Sequence, residues 1–367
     1  MKRVLHIIWT ANFGGIERVV FELAQEQTIG KHLKPAVLLL KAEGEYLSRF
    51  RKAGFKLYEL NIQSAKFITF SEAKALGRIF SQYNILHFHF FNPWVFALGI
   101  YSKNPIIYSE HGNFAFGRNL NATDHILNPL RTFCINHFAK AVSYNSCFTR
   151  EYAERVFRYQ KGPKRKVVYN GTAIDNELVQ ALEISELQNC FVVGTISRLA
   201  GFKRIDRLLH AFAKCRQSKN LRLIIVGDGP LKDNLVKLSN QLGLSNRVLF
   251  TGYLKQTKSA IMRMNLCVLP SQREPFGLVA LEALQLGKPT YVFQDGGGLV
   301  EIIEPLGKKY VLRDEESLTE RINIEFQKWE KGTKEEKSKE LERKSRAAGF
   351  NILKMAEEFE NLYLSLN

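Results

Sequence analysis

Short, unbroken apolar runs recur along the chain. Each is followed by a longer segment in which apolar residues return every three or four positions. In the first half the runs lie at 4–9, 35–40, 57–60, 85–90, 105–109, 139–143 and 166–169. In the second half they lie at 191–196, 221–226, 248–251, 266–270, 290–293 and, more weakly, 309–312. Runs of four to six residues without alternation predict strands covered on both faces. The segments 16–26, 204–214, 231–242 and 278–286 predict amphipathic helices between them. Strand–helix alternation in both halves predicts an α/β protein with two Rossmann-like, doubly wound parallel sheets. The polar stretch 172–189 is the expected border, giving domains at 1–175 and 188–345. The charged segment 328–346 reads as a solvated helix. A final apolar-periodic helix at 346–367 needs a partner surface, for which the first domain is the candidate.

Length agrees with two domains, since 367 residues is about twice a common domain size. With 45% hydrophobic and 24% charged residues, the composition excludes disorder for most of the chain. The net charge of +17 is uneven: residues 1–172 carry 24 basic and 11 acidic side chains, and the rest carry 29 and 25. A basic first half draws anions: nucleic acid, acidic headgroups or a charged substrate. A surface tuned for solubility is the plain alternative. Five cysteines without a C-x-x-C pair predict buried thiols in a reducing cytoplasm. The apolar run 4–9 is too short for a signal peptide, and no run approaches a membrane span.

In open parallel sheets, ligands sit beyond the carboxyl ends of strands, and two such sheets facing each other would frame a cleft. The polar residues after strand ends therefore carry the functional argument. Gly14 and Gly15 follow the first run and open a helix, where backbone N–H groups can meet an anion; a plain tight turn fits equally. Arg198 and Lys203 follow the run 191–196. Two cations there can clamp a diphosphate and neutralise it as it leaves, or simply be solvated. Glu274 and Glu282 flank a turn with Pro275, Phe276, Gly277 and Leu278. With a helix starting near Pro275, both carboxylates can face one ligand and accept from sugar hydroxyls. The other reading makes Glu274 a dipole-stabilising acid and Glu282 a surface residue. His87 and His89 are read as facing opposite sides of their strand, at least one of them structural.

These pieces, in this order, resemble glycosyltransferase family 4, whose retaining enzymes have the GT-B fold and an E-x7-E signature. That signature is carried here by Glu274 and Glu282. Gly14-Gly15-x-Glu17, His87-Phe88-His89, Glu110-His111-Gly112, Asn170-Gly171, Arg198 with Lys203, Gly227-Asp228-Gly229 and Gly297-Gly298 complete the set. The resemblance implies an acceptor-binding first domain and a donor-binding second one. It implies that Arg198 and Lys203 hold the donor diphosphate beside Gly14 and Gly15, and that Glu282 holds the ribose. Glu274 would contact the donor sugar, with backbone N–H groups around Phe276, Gly277 and Leu278. His111 would lie near the transferred sugar and acceptor. No metal or other cofactor is implied, the two cations taking its place, and no Asp-x-Asp is present. Two departures stand out: Arg204 follows Lys203 where the family has glycine, and the run Gly296-Gly297-Gly298 is one residue longer than usual.

The expected reaction is retaining transfer of a sugar from a nucleotide-diphosphate sugar to a glycan or lipid-linked acceptor, in bacterial cell-surface polysaccharide synthesis (lipopolysaccharide, capsule or O-antigen). A front-face substitution fits, because both glutamates are used to hold the donor rather than to attack it. The expected location is cytoplasmic, with an anionic membrane surface as a candidate partner through Lys66, Phe67, Phe70, Lys74 and Arg78. The alternatives are a sugar-nucleotide epimerase or phosphorylase on the same fold, a membrane-surface binder, or a nucleic-acid binder. The last lacks any helix-turn-helix, RNP-like strand or finger.

Overall fold

The computed structural model describes residues 1–12, 14–30, 32–64, 67–112, 122–173, 180–333 and 335–366, with 122–126 as backbone alone. The chain divides into two compact units, Met1–Ala173 with Phe350–Asn367, and Ile174–Gly349.

The first unit runs β1 (Lys2–Ile8), α1 (Gly15–Ile29), β2 (Leu33–Leu39), α2 (Leu47–Arg51), β3 (Lys56–Glu59), α3 (Phe70–Phe80) and β4 (Ile85–Phe88). It continues with α4 (Pro93–Tyr101), β5 (Ile106–Glu110), α5 (Ala122–Phe138), β6 (Ala139–Tyr144), α6 (Cys147–Val156) and β7 (Arg165–Val167). All seven strands are parallel, in the order β3-β2-β1-β4-β5-β6-β7. The order reverses between β1 and β4, so the loops after these strands diverge and leave a crevice. Strands such as β1 bury side chains of both parities, as an unbroken apolar run requires. On one face the sheet packs against Leu76, Ile79 and Phe80 of α3, Val95 and Phe96 of α4 and Ile135 of α5. On the other it packs against Val20, Phe21 and Ala24 of α1 and Phe50 of α2.

The second unit runs β8 (Phe191–Ile196), α7 (Ile205–Ala213), β9 (Leu221–Val226), α8 (Lys232–Gln241), β10 (Val248–Gly252), α9 (Thr257–Arg263) and β11 (Leu266–Leu269). It ends with α10 (Leu278–Gln285), β12 (Thr290–Phe293), α11 (Gly298–Ile303), β13 (Val311–Leu312), α12 (Glu315–Glu330) and α13 (Lys337–Ala348). Its six parallel strands lie in the order β10-β9-β8-β11-β12-β13, with the switch point between β8 and β11. The final helix α14 (Ile352–Leu364) belongs to the first unit and packs on α1.

Four expectations change. The helix after β11 starts at Leu278, three residues beyond Pro275, because Gly277 at φ +109° turns the chain just before it. The segment 328–346 is not one solvated helix: it spans the end of α12 and most of α13, and Arg343 is 2% exposed. Its guanidinium donates to the Gly287 carbonyl at 2.7 Å and to Glu335. The last helical segment opens at Asn351, which caps α14, while Arg346 binds the Glu301 and Ile302 carbonyls within the second unit. His87 and His89 do not diverge. Residues two apart on a strand share a face, and their rings lie 4.0 Å apart.

Candidate functional site

In the second unit, the loop after β8 and the loop after β11 meet at the switch point. The Gln272 N–H donates to the Phe202 carbonyl at 2.8 Å, which ties one loop to the other. Lys203 donates from Nζ to Glu274 Oε2 at 2.6 Å, so two of the residues singled out from sequence are in direct contact. Their side chains are 18% and 13% exposed. Arg198 is exposed and has no ion pair among the described residues. Glu274 is not helical. Its N–H donates to the Gly296 carbonyl at 3.1 Å, and its own carbonyl accepts from the Gly298 N–H at 2.8 Å. A side chain at Gly298 would strike the Pro275 carbonyl, and one at Gly277 would strike Leu299. The long glycine run is thus what lets the 274–277 turn lie against the loop after β12. Glu282, on α10, is 4% exposed and accepts from Thr257 Oγ1 at 3.4 Å, so it is not the surface residue of the plain reading. Phe276 is buried, and Leu278 opens the helix beside it.

Arg204 sits at φ 49°, ψ 41°, the left-handed region that glycine adopts without cost. Its guanidinium reaches back to both Asp206 oxygens at 3.1 Å and so holds the conformation. Three residues that sequence reasoning passed over support the site. Arg207 donates to Asp295 at 2.9 Å and to Glu315 at 3.1 Å, and stacks over Phe293 at 3.9 Å. Asp295 also accepts from Gln272 Nε2 at 3.0 Å and, through its carbonyl, from the Arg273 N–H. The only advance signal was an arginine on the apolar stripe of α7.

In the first unit, Gly14 caps α1 and Gly15 begins it. Glu17 folds back over Gly14, where a Cβ would meet its carboxylate, and burial pushes the Glu17 carboxyl up. His111 follows β5. Glu110 is fully buried and accepts from the Gly112 N–H at 3.2 Å and from Tyr159 Oη at 3.1 Å, which fixes the turn that carries His111. Behind His111 lies a group of imidazoles. His89 Nδ1 is 3.0 Å from His111 Nε2, His6 Nδ1 is 3.0 Å from His89 Nε2, and His6 Nε2 is 2.8 Å from Gln27 Oε1. His87 bonds Tyr363 Oη at 2.7 Å and Ser109 Oγ at 2.6 Å. Burial pushes His6 and His111 down to about 4, and holds His87 and His89 well below the ordinary histidine range, helped by the neighbouring imidazoles. The nitrogens of His6, His87 and His89 lie close enough to ligate a metal ion. All six, however, already have hydrogen-bond partners. His6 was not singled out from sequence, although a histidine inside the run 4–9 was a visible signal.

Two family models match: Glycosyltransferase Family 4 over residues 13–176 and Glycosyl transferases group 1 over 180–347. The chain is built of two glycosyltransferase domains. A glycosyltransferase of Methanocaldococcus jannaschii, described as uncharacterized, is 39% identical over 111 residues, 30% of this chain and 28% of that protein. The lipopolysaccharide core biosynthesis glycosyltransferase LpsE of Rhizobium meliloti is 31% identical over 144 residues, 39% of this chain and 42% of the relative. The matched stretches thus cover less than half the length of these relatives. The crystal structure of Anabaena HepE in complex with UDP and glucose superposes with a TM-score of 0.80 at 21% identity, over 100% of both chains. The glycosyltransferase fold is GT-B.

Proposed function

We propose that the protein is a retaining, metal-independent glycosyltransferase that moves a sugar from a nucleotide-diphosphate sugar to a glycan or lipid-linked acceptor. The pathway we propose is bacterial cell-surface polysaccharide synthesis. The observation that carries the reading is the Lys203–Glu274 pair at the β8/β11 switch point, with Arg198, a cation without an ion pair among the described residues, in the same loop as Lys203. LpsE's role in lipopolysaccharide core synthesis and the UDP bound to HepE support the pathway and the donor class.

Lys203 has three N–H donors and spends one on Glu274. The remaining two, with Arg198, would hold the diphosphate and stabilise its charge as the bond to the sugar lengthens. The acceptor hydroxyl would enter on the same face, and a departing phosphate oxygen would take its proton. Glu274 would orient Lys203 with Oε2 and leave Oε1 for a sugar hydroxyl. Glu282 would bind the ribose, and Gly14 and Gly15 would offer backbone N–H groups to the diphosphate.

Turnover assays with UDP-, GDP- and ADP-sugars, with and without EDTA, test this reading. Arg198→Ala and Lys203→Ala should each lower kcat about 100-fold, in the range typical for loss of one charge-stabilising donor. Undiminished transfer by both variants, or abolition of wild-type transfer by EDTA, refutes it. Product anomer analysis by NMR tests retention.

A peripheral membrane position is the second part of the proposal, supported by one face of the first unit. Helix α4 carries no charged residue, yet Trp94 is 49% and Tyr101 85% exposed. On the helices packed against it, Phe70, Lys74 and Arg78 of α3 and Leu130, Phe133 and Phe138 of α5 are exposed too, as are Phe67 before α3 and Lys103 after α4. Lys66 lies outside the described residues. Aromatic side chains interleaved with cations suit an anionic lipid interface, at about 1 kcal/mol per cation. The protein should float with phosphatidylglycerol vesicles at low salt, and Phe70→Ser/Tyr101→Ser/Phe133→Ser should not. Absence of wild-type flotation removes the idea.

A further inference from the structure

Gln27, His6, His89 and His111 form one file of hydrogen bonds, from the inner face of α1 to the turn after β5. Two of its three links run nitrogen to nitrogen, and such a link needs one protonated and one bare nitrogen. Burial keeps the imidazoles neutral, so each ring carries a single proton. The state of one end therefore sets every ring in the file. At the inner end Gln27 presents Oε1, which can only accept, so His6 carries its proton on Nε2. His6 Nδ1 is then bare and accepts from His89 Nε2–H. His89 Nδ1 is bare in turn and accepts from His111 Nε2–H.

We propose that Gln27, His6 and His89 are positioning residues that fix His111 as the Nε2–H tautomer and leave its Nδ1 as a bare acceptor for a hydroxyl of the donor sugar or the acceptor. Nδ1 has no partner among the described residues, and His111 is the one ring of the file that is only partly buried. Such a nitrogen orients a hydroxyl by accepting from it; it does not donate to the leaving group. His87 does not enter this file. It forms a second one, through Tyr363, Ser109 and Ser143; its ring lies against His89 and His6, and Tyr363 also faces Gln27 and His6. What Nδ1 faces rests on the transferase reading, whereas the tautomer rests on the file alone.

The test uses the full chain labelled with nitrogen-15 histidine, with long-range proton–nitrogen NMR to read each ring and His111→Gln to assign His111. The expected spectrum shows Nε2–H and bare Nδ1 for His6, His89 and His111 alike. A wild-type His111 with Nδ1–H overturns the proposal, whether or not any donor is turned over. Gln27→Met removes the acceptor at nearly constant volume. It should populate Nδ1–H at His111 and lower kcat about tenfold, with the KM for the nucleotide sugar within twofold of wild type. A folded Gln27→Met with an unchanged His111 tautomer also overturns it. If that variant does not fold, the wild-type spectrum alone decides. An Nε2–H His111 in a protein that turns over no nucleotide sugar upholds the file and refutes only the transferase reading.

Discussion

The Lys203–Glu274 contact permits a quantitative test. At 2.6 Å, two unit charges attract by about 6 kcal/mol at an effective dielectric of 20 and by about 1.6 kcal/mol in bulk water. With side chains 18% and 13% exposed, both ions have lost most of their hydration, and that loss offsets much of the attraction. A net coupling of about 1–2 kcal/mol remains, as for partly buried charge-assisted hydrogen bonds. Lys203→Met strands the carboxylate and should cost about 2–3 kcal/mol. Glu274→Gln keeps an acceptor for Lys203 and should cost about 1 kcal/mol. The double variant should therefore be less destabilised than the sum of the two, by the coupling. Urea unfolding read by the fluorescence of Trp329 reports on the second unit, provided Trp9 and Trp94 of the first unit are replaced by Phe. Single variants that add within about 0.5 kcal/mol would show the pair to be uncoupled. Lys203 would then be a solvated cation near a carboxylate, with no claim to an oriented site.

Gly277→Ala combines a strained φ of +109° with a collision on Leu299 and should lower stability by about 3 kcal/mol, seen as a fall in the urea midpoint of the second unit. Arg204→Gly should leave that midpoint nearly unchanged, whereas Arg204→Val should lose about 2 kcal/mol, since a β-branched residue resists the left-handed region. The first unit should weaken in mild acid. His6 titrates near 4 when folded and near 6.5 when unfolded, so the unfolded chain binds more protons between those values and stability falls as pH drops through them. His6 alone contributes a loss of about 3 kcal/mol by pH 4, measurable as a urea midpoint that declines below pH 6.5. His6→Gln should flatten part of that decline.

The strands were legible because a buried parallel strand must be apolar at nearly every position, and the runs 4–9, 191–196 and 221–226 obey that rule on β1, β8 and β9. Candidate positions at their ends were legible for a related reason. Polar residues directly after a buried strand, such as Arg198 after β8 and His111 after β5, stand at the carboxyl edge of the sheet, where a ligand or plain solvent can meet them. What local pattern could not show was pairing at a distance. Arg343 reads as one more charge on a polar helix until its carbonyl partner at Gly287, 56 positions away, is known. Arg207 looks like a flaw in an apolar stripe until Asp295 and Glu315 appear opposite it. The apolar segment 278–286 marked α10 itself; only the reading that began the helix near Pro275 failed, because Gly277 at φ +109° turns the chain just before Leu278. The pairing of His87 with His89 was recoverable from strand geometry alone.

The second unit is an insertion within the first: the chain leaves at Ala173, completes 176 residues and returns at Phe350. Thr172 and Asn351 pair as a parallel bridge, so the exit and the re-entry are laced together within the first unit. The wall that closes over His87 is supplied by Phe359 and Tyr363 of α14, which follows the inserted unit in the chain. During translation the first unit's sheet emerges before this wall, which has to wait until the whole inserted unit has been made. The first unit thus cannot close over His87 until the second has been synthesised.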